Sequence, residues 1–290
     1  MSSSFSQLAR LIRLPNTFTV VSNVLAASMI ASQMYLNLLD VLLLISISMC
    51  LYHGGMILND CLDVEEDKQS RPSRPIPSGA IPLHQAWVAS IALFVLGLSM
   101  AWHFGLHTFA VSCALLVSIV TYNVLSREKL IGCVVMGLCR SLNWLMVLAA
   151  FDVMAEYAHF ALFVGLYVVA LTLFSRDETQ ANRKGLAYVA MAILVCSAIG
   201  LLLVLQITQA VSLLTYVVVA AGLALLSYKI IKLQQDYTPA NIQAMVMTLV
   251  LGLIPIDAAL TLMAGYPLAA LLIVALIVPS KILAKRFYVT

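Results

Sequence analysis

Ten apolar runs of near-membrane length alternate with short polar connections along the chain, at roughly residues 15–35, 40–62, 82–104, 106–126, 130–151, 156–175, 186–206, 209–231, 240–263 and 266–284. Each comes close to the ~20 residues needed to cross a hydrocarbon layer. Helices are the spanning form that suits uninterrupted runs of this kind, because every backbone polar group must be satisfied within the segment. The connections near 103–107 and 265–266 are so short that nine spans is the main alternative to ten. The pattern predicts an all-α fold, a polytopic transmembrane helical bundle of 9–10 helices forming one domain over 1–290.

Composition agrees with that reading. Hydrophobic residues are 62% of the chain and charged residues 10%, against roughly 45–50% and 25% in soluble domains. The few basic residues are not scattered. Arg10 and Arg13 precede the first run, and Lys68, Arg71 and Arg74 follow the second. Arg127 and Lys129 follow the fourth, Arg176, Arg183 and Lys184 the sixth, and Lys229 and Lys232 end the eighth. Lys281, Lys285 and Arg286 close the chain, and the intervening connections carry no Lys or Arg. The positive-inside rule then predicts both termini on the cytoplasmic side. An odd number of spans would put the basic tail outside, so this alternation favours ten. Arg140, inside the fifth run, is the exception.

The net charge of +3 comes without a basic stripe interleaved with aromatics, so nucleic acid is not an expected partner. Cys50, Cys61, Cys113, Cys133, Cys139 and Cys196 form neither a Cys-x-x-Cys pair nor a His/Cys cluster, which argues against disulfide and zinc chemistry. The first run lacks a small-x-small cleavage site and reads as a span rather than a signal peptide.

Acidic residues concentrate after the second and sixth runs. If the second helix continues past Asn59, Asp60, Asp63 and Asp67 fall at roughly 0°, −60° and −20° around its axis. Glu65 then points the opposite way. Three carboxylates on one stripe repel unless a divalent cation lies among them, and an oxygen-only donor set suits Mg2+. An acidic helix end merely solvated at the membrane surface is the plain alternative. The loop that follows carries Arg71-Pro72-Ser73-Arg74-Pro75-Ile76-Pro77. Its prolines fix φ and hold two guanidinium groups at a set spacing, and guanidinium binds phosphate oxygens in a planar fork. Positive-inside topology alone would also account for the arginines. Together with the acidic run, they make a diphosphate site the better reading.

Asn59-Asp60-x-x-Asp63-x-x-x-Asp67 followed by Arg71-Pro72-x-Arg74-Pro75-Ile76-Pro77-Ser78-Gly79 resembles the first signature of the UbiA superfamily of intramembrane prenyltransferases. Arg13-Leu14-Pro15-Asn16-Thr17 is similar to that family's approach to its first helix. The resemblance implies about nine helices around a lipid-open cavity, Mg2+ as cofactor and an isoprenyl diphosphate as donor. It implies diphosphate contacts from Asn59, Arg71, Arg74, Tyr122 and Lys129. Arg140, an expensive charge inside a span, is a further candidate for the diphosphate or for an ion pair, with Asn143 one turn away. The family's second motif is Asp-x-x-x-Asp. Here Asp177 is followed four residues on by Ala181, so Asp177 stands as the remaining metal and catalytic candidate, with Glu178 and Asn182 as an oxygen pair beside it. Residues 172–179 resemble the EboC-like branch, found in bacterial gene clusters, which implies a bacterial inner membrane.

The expected function is Mg2+-dependent transfer of an isoprenyl group to a small aromatic or alcohol acceptor, with catalysis by Asp60, Asp63, Asp67 and Asp177 and removal of the acceptor's proton by Asp177 or Glu178. The competing class is a catalytically degenerate protein that binds or exports a prenyl metabolite. A transporter would be expected to show Gly/Pro-broken spans repeated in two halves, and only isolated cases such as Pro255 and Pro279 occur. A CDP-alcohol phosphotransferase would need Asp-Gly where Asp60-Cys61 stands.

Overall fold

The computed structural model describes residues 4–33, 35–126, 130–178, 181–208 and 212–287. Among the described residues the structure is helical, with no strand, and ten helical spans are long and apolar enough to cross a membrane. They are span 1 (Leu14–Ala31), span 2 (Leu38–Leu62), span 3 (Leu83–His103), span 4 (Leu106–Val124) and span 5 (Ile131–Ala150). Span 6 (Met154–Ser175), span 7 (Gly185–Ile207), span 8 (Leu213–Gln235), span 9 (Pro239–Met263) and span 10 (Pro267–Ala284) complete the set.

Spans 1 and 2 form the centre, 67% and 61% buried, whereas span 8 is 11% buried and lies at the periphery. Span 1 packs on spans 2 and 5 and on the second half of span 9, and spans 5 and 6 lie against each other. Leu44, Ile47, Leu51, Trp144, Met146 and Phe160 fill the space between them. Leu96, Val117, Leu225 and Leu271 point outward. A helix apolar on all sides can bury one face in protein and give the other to lipid.

Two local features of the sequence set the shape of the centre. Gly137 on span 5 and Gly165 on span 6 allow close backbone approach, for a Cβ on Gly137 would come within 2.6 Å of the Gly165 carbonyl oxygen. Span 9 breaks at Gly252 into helices Pro239–Leu251 and Leu253–Met263. Pro255 cannot supply a ladder N–H there, and the Tyr167 hydroxyl donates to the carbonyl of Leu249 at 2.7 Å just before the break. The second helix then carries Asp257, fully buried, toward span 1.

Span 2 does not run on through the acidic stripe as a single helix. It ends at Leu62, and a separate helix, Val64–Ser70, begins beyond Asp63. Asp63 adopts φ −89° and ψ 1°, outside helical values, while its N–H still bonds the Asn59 carbonyl. The backbone bonds continue across the break, with the Asp67 N–H on the Asp63 carbonyl at 2.8 Å. The three-residue stripe is therefore carried by two successive helices with Asp63 between them.

Replacing Gly137 by valine should destabilise the packing of spans 5 and 6 by about 1–3 kcal/mol. A lower midpoint of thermal unfolding in detergent is the expected reading, and an unchanged midpoint would show that the two helices do not pack this closely.

Candidate functional site

Asp60 lies in the last turn of span 2 and Asp67 in the helix beyond it, both buried. Arg74, from the proline-rich loop, sends one nitrogen between them. Its Nη1 is 2.6 Å from Asp67 Oδ2 and 3.4 Å from Asp60 Oδ1. Arg71 Nη1 approaches the other oxygen of Asp67 at 3.8 Å. Arg13 Nη2 stands 3.7 Å from the same Asp60 Oδ1 and donates to Asn59 Oδ1 at 3.5 Å. Asn59 in turn donates to Asn123 Oδ1 at 3.0 Å. Arg13 holds a left-handed backbone, φ 49° and ψ 54°, a conformation that costs a non-glycine residue on the order of 1 kcal/mol. Asp63 sits half-buried at the break, and Glu65 turns outward to pair with Lys68 at 2.7 Å.

Two carboxylates thus converge on a single cationic nitrogen. Among the described residues no three His, Cys, Asp or Glu side chains close around a common point. The donors that do converge are all oxygen, and Arg74 Nη1 stands where a hard cation would be attracted. That donor set fits Mg2+, whose shell is completed by water and by phosphate oxygens.

Beside the acidic cluster opens a cavity of about 310 Å³. Arg13, Asn16, Tyr122 and Asn123 line it near the cluster, and Thr19, Ser48, Tyr52, Arg140 and Asn143 line it deeper. Leu51, Leu115, Ile119, Val168 and Leu253 make its apolar walls. The combination suits an amphiphile with a charged head at the acidic end.

The second acidic loop is organised differently. Asp177 is 1% exposed, and its carboxylate is taken up by the loop itself. Oδ1 accepts the Asn182 N–H at 3.1 Å, and Oδ2 accepts the Arg183 N–H at 2.7 Å and the Tyr237 hydroxyl at 2.8 Å. Ala181, at the position where a second aspartate is expected, has φ 52°. Glu178 is half-buried, and Arg71 and Arg13, the arginines of the first cluster, are the charges that act on it. Burial pushes its carboxyl above the usual carboxylate range, and the two arginines oppose that rise.

A sequence model of the UbiA prenyltransferase family matches residues 20–252. The chain belongs to the UbiA prenyltransferase family. A relative from Saccharolobus solfataricus, a digeranylgeranylglyceryl phosphate synthase, is 30% identical over 119 residues, 41% of this chain and 42% of that protein. The chain spans about half the length of the curated relatives it matches. A solved digeranylgeranylglyceryl phosphate synthase structure superposes with TM-score 0.70 at 20% identity, covering 90% of this chain and 98% of that one. A UbiA homologue from Archaeoglobus fulgidus bound to DMAPP and Mg2+ superposes with TM-score 0.61 at 12% identity, over 93% of this chain and 99% of that one. These likenesses show the UbiA fold.

Within that fold, Asn59, Asp60, Asp67, Arg71 and Arg74 come together beside the cavity, joined to its lining through Arg13 and Asn123, with Asp63 at the helix break and Tyr122 on the cavity wall. Arg140 faces the same cavity but deeper, donating to the Thr19 carbonyl at 3.4 Å and the Thr19 hydroxyl at 3.1 Å. Lys129 lies outside the described residues. Asp177 bonds its own loop and Tyr237, and Glu178 beside it is half-buried, its carboxyl influenced by Arg71 and Arg13. Reasoning from sequence did not single out Arg13 or Asn123 as site residues. Their signals were a basic residue just ahead of Pro15 and an amide at the polar end of an apolar span.

Asp177→Ala should free the loop and speed trypsin cleavage at the exposed Arg183 and Lys184 about tenfold or more, since hydrogen bonds to a charged group contribute about 1.5–3 kcal/mol each. Cleavage at the wild-type rate would mean that the carboxylate does not hold this loop.

Proposed function

We propose that this protein transfers an isoprenyl group from a polyprenyl diphosphate to a small alcohol or aromatic acceptor within the membrane, with Mg2+ held by Asp60, Asp63 and Asp67. The observation that carries this reading is the convergence of Asp60 and Asp67 on one cationic nitrogen beside an amphiphilic cavity that Arg13, itself 3.7 Å from Asp60, lines. Support for the donor comes from the homologue bound to DMAPP and Mg2+. Support for an alcohol acceptor comes from relatives named digeranylgeranylglyceryl phosphate synthase.

Magnesium, when bound, supplies positive charge against the negative charge that grows on the departing diphosphate. Arg13, Arg71 and Arg74 surround that position and donate to phosphate oxygens, a charge-assisted geometry that strengthens as the C–O bond lengthens. Asn59 and Asn123 hold the orientation of Arg13's end of the cluster. The apolar walls take the hydrocarbon chain and keep water from the electron-poor carbon. Glu178 is the base of this scheme. Its carboxyl is shifted upward by burial and lies within reach of the cluster's field, so it takes the acceptor's proton more readily than Asp177, whose oxygens are already occupied. Asp177 positions the loop that presents Glu178. The alternation of basic connections supports a cytoplasmic site, and the EboC-like resemblance of residues 172–179 supports a bacterial inner membrane.

One observation favours a second reading, a protein that binds a prenyl diphosphate without turnover. Ala181 stands where the family pattern has a second aspartate, and Asp177 is committed to its loop. Lipid mass spectrometry of cells with and without the gene, together with an Asp60→Asn, Asp67→Asn variant, separates the two. Transfer predicts a prenylated product that falls about 100-fold or more in the variant, the scale seen when electrostatic stabilisers are removed. Equal product from variant and wild type would sink the mechanism, and donor binding with no product from either would favour the second reading.

A further inference from the structure

The deep end of the cavity holds a charge that the diphosphate site does not explain. Arg140 lies nine positions from Ile131 at the start of span 5, about 14 Å of helix rise. Asp60 lies two positions from the end of span 2, about 3 Å by the same measure. The guanidinium is therefore roughly 10 Å deeper than the acidic cluster. A charge at such depth is costly and marks a functional position by default.

Its surroundings are built in detail. Thr19 holds it from one side through carbonyl and hydroxyl oxygens, leaving most of its five N–H donors for other partners. Behind it, Asp257 is 0% exposed and accepts from Ser22 at 2.6 Å and from Asn23 at 3.3 Å. Asn23 Oδ1 accepts from Asn143 at 2.6 Å, and the Asn143 oxygen accepts from Ser48. These bonds hold the Asp257 carboxylate against span 1. Arg140 and Asp257 meet on span 1: the Thr19 carbonyl lies 3.4 Å from Arg140 Nη1 and 3.1 Å from the Ser22 hydroxyl, which reaches Asp257 at 2.6 Å. The guanidinium and the carboxylate are therefore near neighbours without ion-pair contact among the described residues.

We propose that Arg140 binds the head of the acceptor, and that this head is an uncharged oxygen group, a hydroxyl or carbonyl, rather than a phosphate. This rests on the prenyl-transfer reading above. The donor is ruled out as the occupant because its only polar group is the diphosphate, fixed at the other end. An anionic head is disfavoured because the Asp257 carboxylate stands close behind Arg140, joined to it through Thr19 and Ser22, so a second negative charge there would be buried without a cation of its own. A separation of roughly 10 Å, partly taken up by the diphosphate, leaves room for a compact acceptor with its nucleophile toward the donor carbon.

The test uses the full-length protein in nanodiscs with hydroquinone and 4-hydroxyphenyl phosphate as probes that differ in one phosphate. Wild type should bind hydroquinone at least tenfold more tightly than the phosphate, and Arg140→Gln should lose that binding at least tenfold. Asp257→Asn should do the reverse of a simple loss. It removes the negative charge behind Arg140 and should raise affinity for the phosphate probe at least tenfold, a gain that misfolding does not produce. Tighter phosphate binding in wild type, or no gain in Asp257→Asn, overturns the assignment. Mg2+-dependent binding of geranylgeranyl thiolodiphosphate, measured alongside, should be unchanged in both variants. Its absence in wild type would count against the donor reading, whereas the probe pair reports on Arg140 alone.

Discussion

The structure depends on holding two carboxylates together at the edge of an apolar bundle. Like charges brought this close repel by several kcal/mol at intermediate dielectric, and neither Asp60 nor Asp67 is exposed enough for water to relieve them. Arg74 answers that repulsion by reaching both with one nitrogen. The other features of the site follow from that requirement. The helix is interrupted at Asp63 between Asp60 and Asp67, the prolines after Arg71 stiffen the loop that delivers Arg74, and Arg13, with a left-handed backbone, also approaches Asp60. An arrangement that attracts positive charge this strongly, beside a cavity with apolar walls, is suited to a metal and a diphosphate arriving together.

The bundle around the site encloses a polar interior whose groups bond one another. Spans 1, 2, 5, 6 and 9 meet through small residues and buried hydrogen bonds, and the more exposed spans face lipid. The break at Gly252 in span 9 lets the second half of that helix turn its carboxylate inward, where the hydroxyl and amide of Ser22 and Asn23 receive it. Buried polar groups of this kind are stable only when their partners are complete. Their cost is consistent with a role in shaping the cavity, since packing alone would be served better by apolar side chains.

Much of this was legible in the order of residues. The ten spans, their approximate bounds and the acidic end of span 2 follow from run length and from period. The break at Asp63 was not legible, because a stripe with helical spacing looks the same whether the helix continues or restarts. The role of Asp177 was hidden for a related reason. Its partners are backbone N–H groups and Tyr237, sixty positions away, and backbone donors leave no mark in a sequence. Glu178 gained importance only when Arg71 and Arg13 were found to act on it from distant parts of the chain. Asn123 escaped notice because an amide at a span end is ordinary until a second amide, Asn59, is found against it.

The central claim, that Asp60 and Asp67 form a cation site completed by a prenyl diphosphate, is tested most directly by electron paramagnetic resonance with Mn2+ as a stand-in for Mg2+. Mn2+ would be titrated into the purified protein with and without geranylgeranyl thiolodiphosphate while the free-ion signal is followed. The account predicts that wild type removes free Mn2+ more strongly when the analogue is present, and that Asp60→Asn, Asp67→Asn protein leaves the free signal as it is in buffer with analogue alone. Equal uptake of Mn2+ by the variant and the wild type would contradict it.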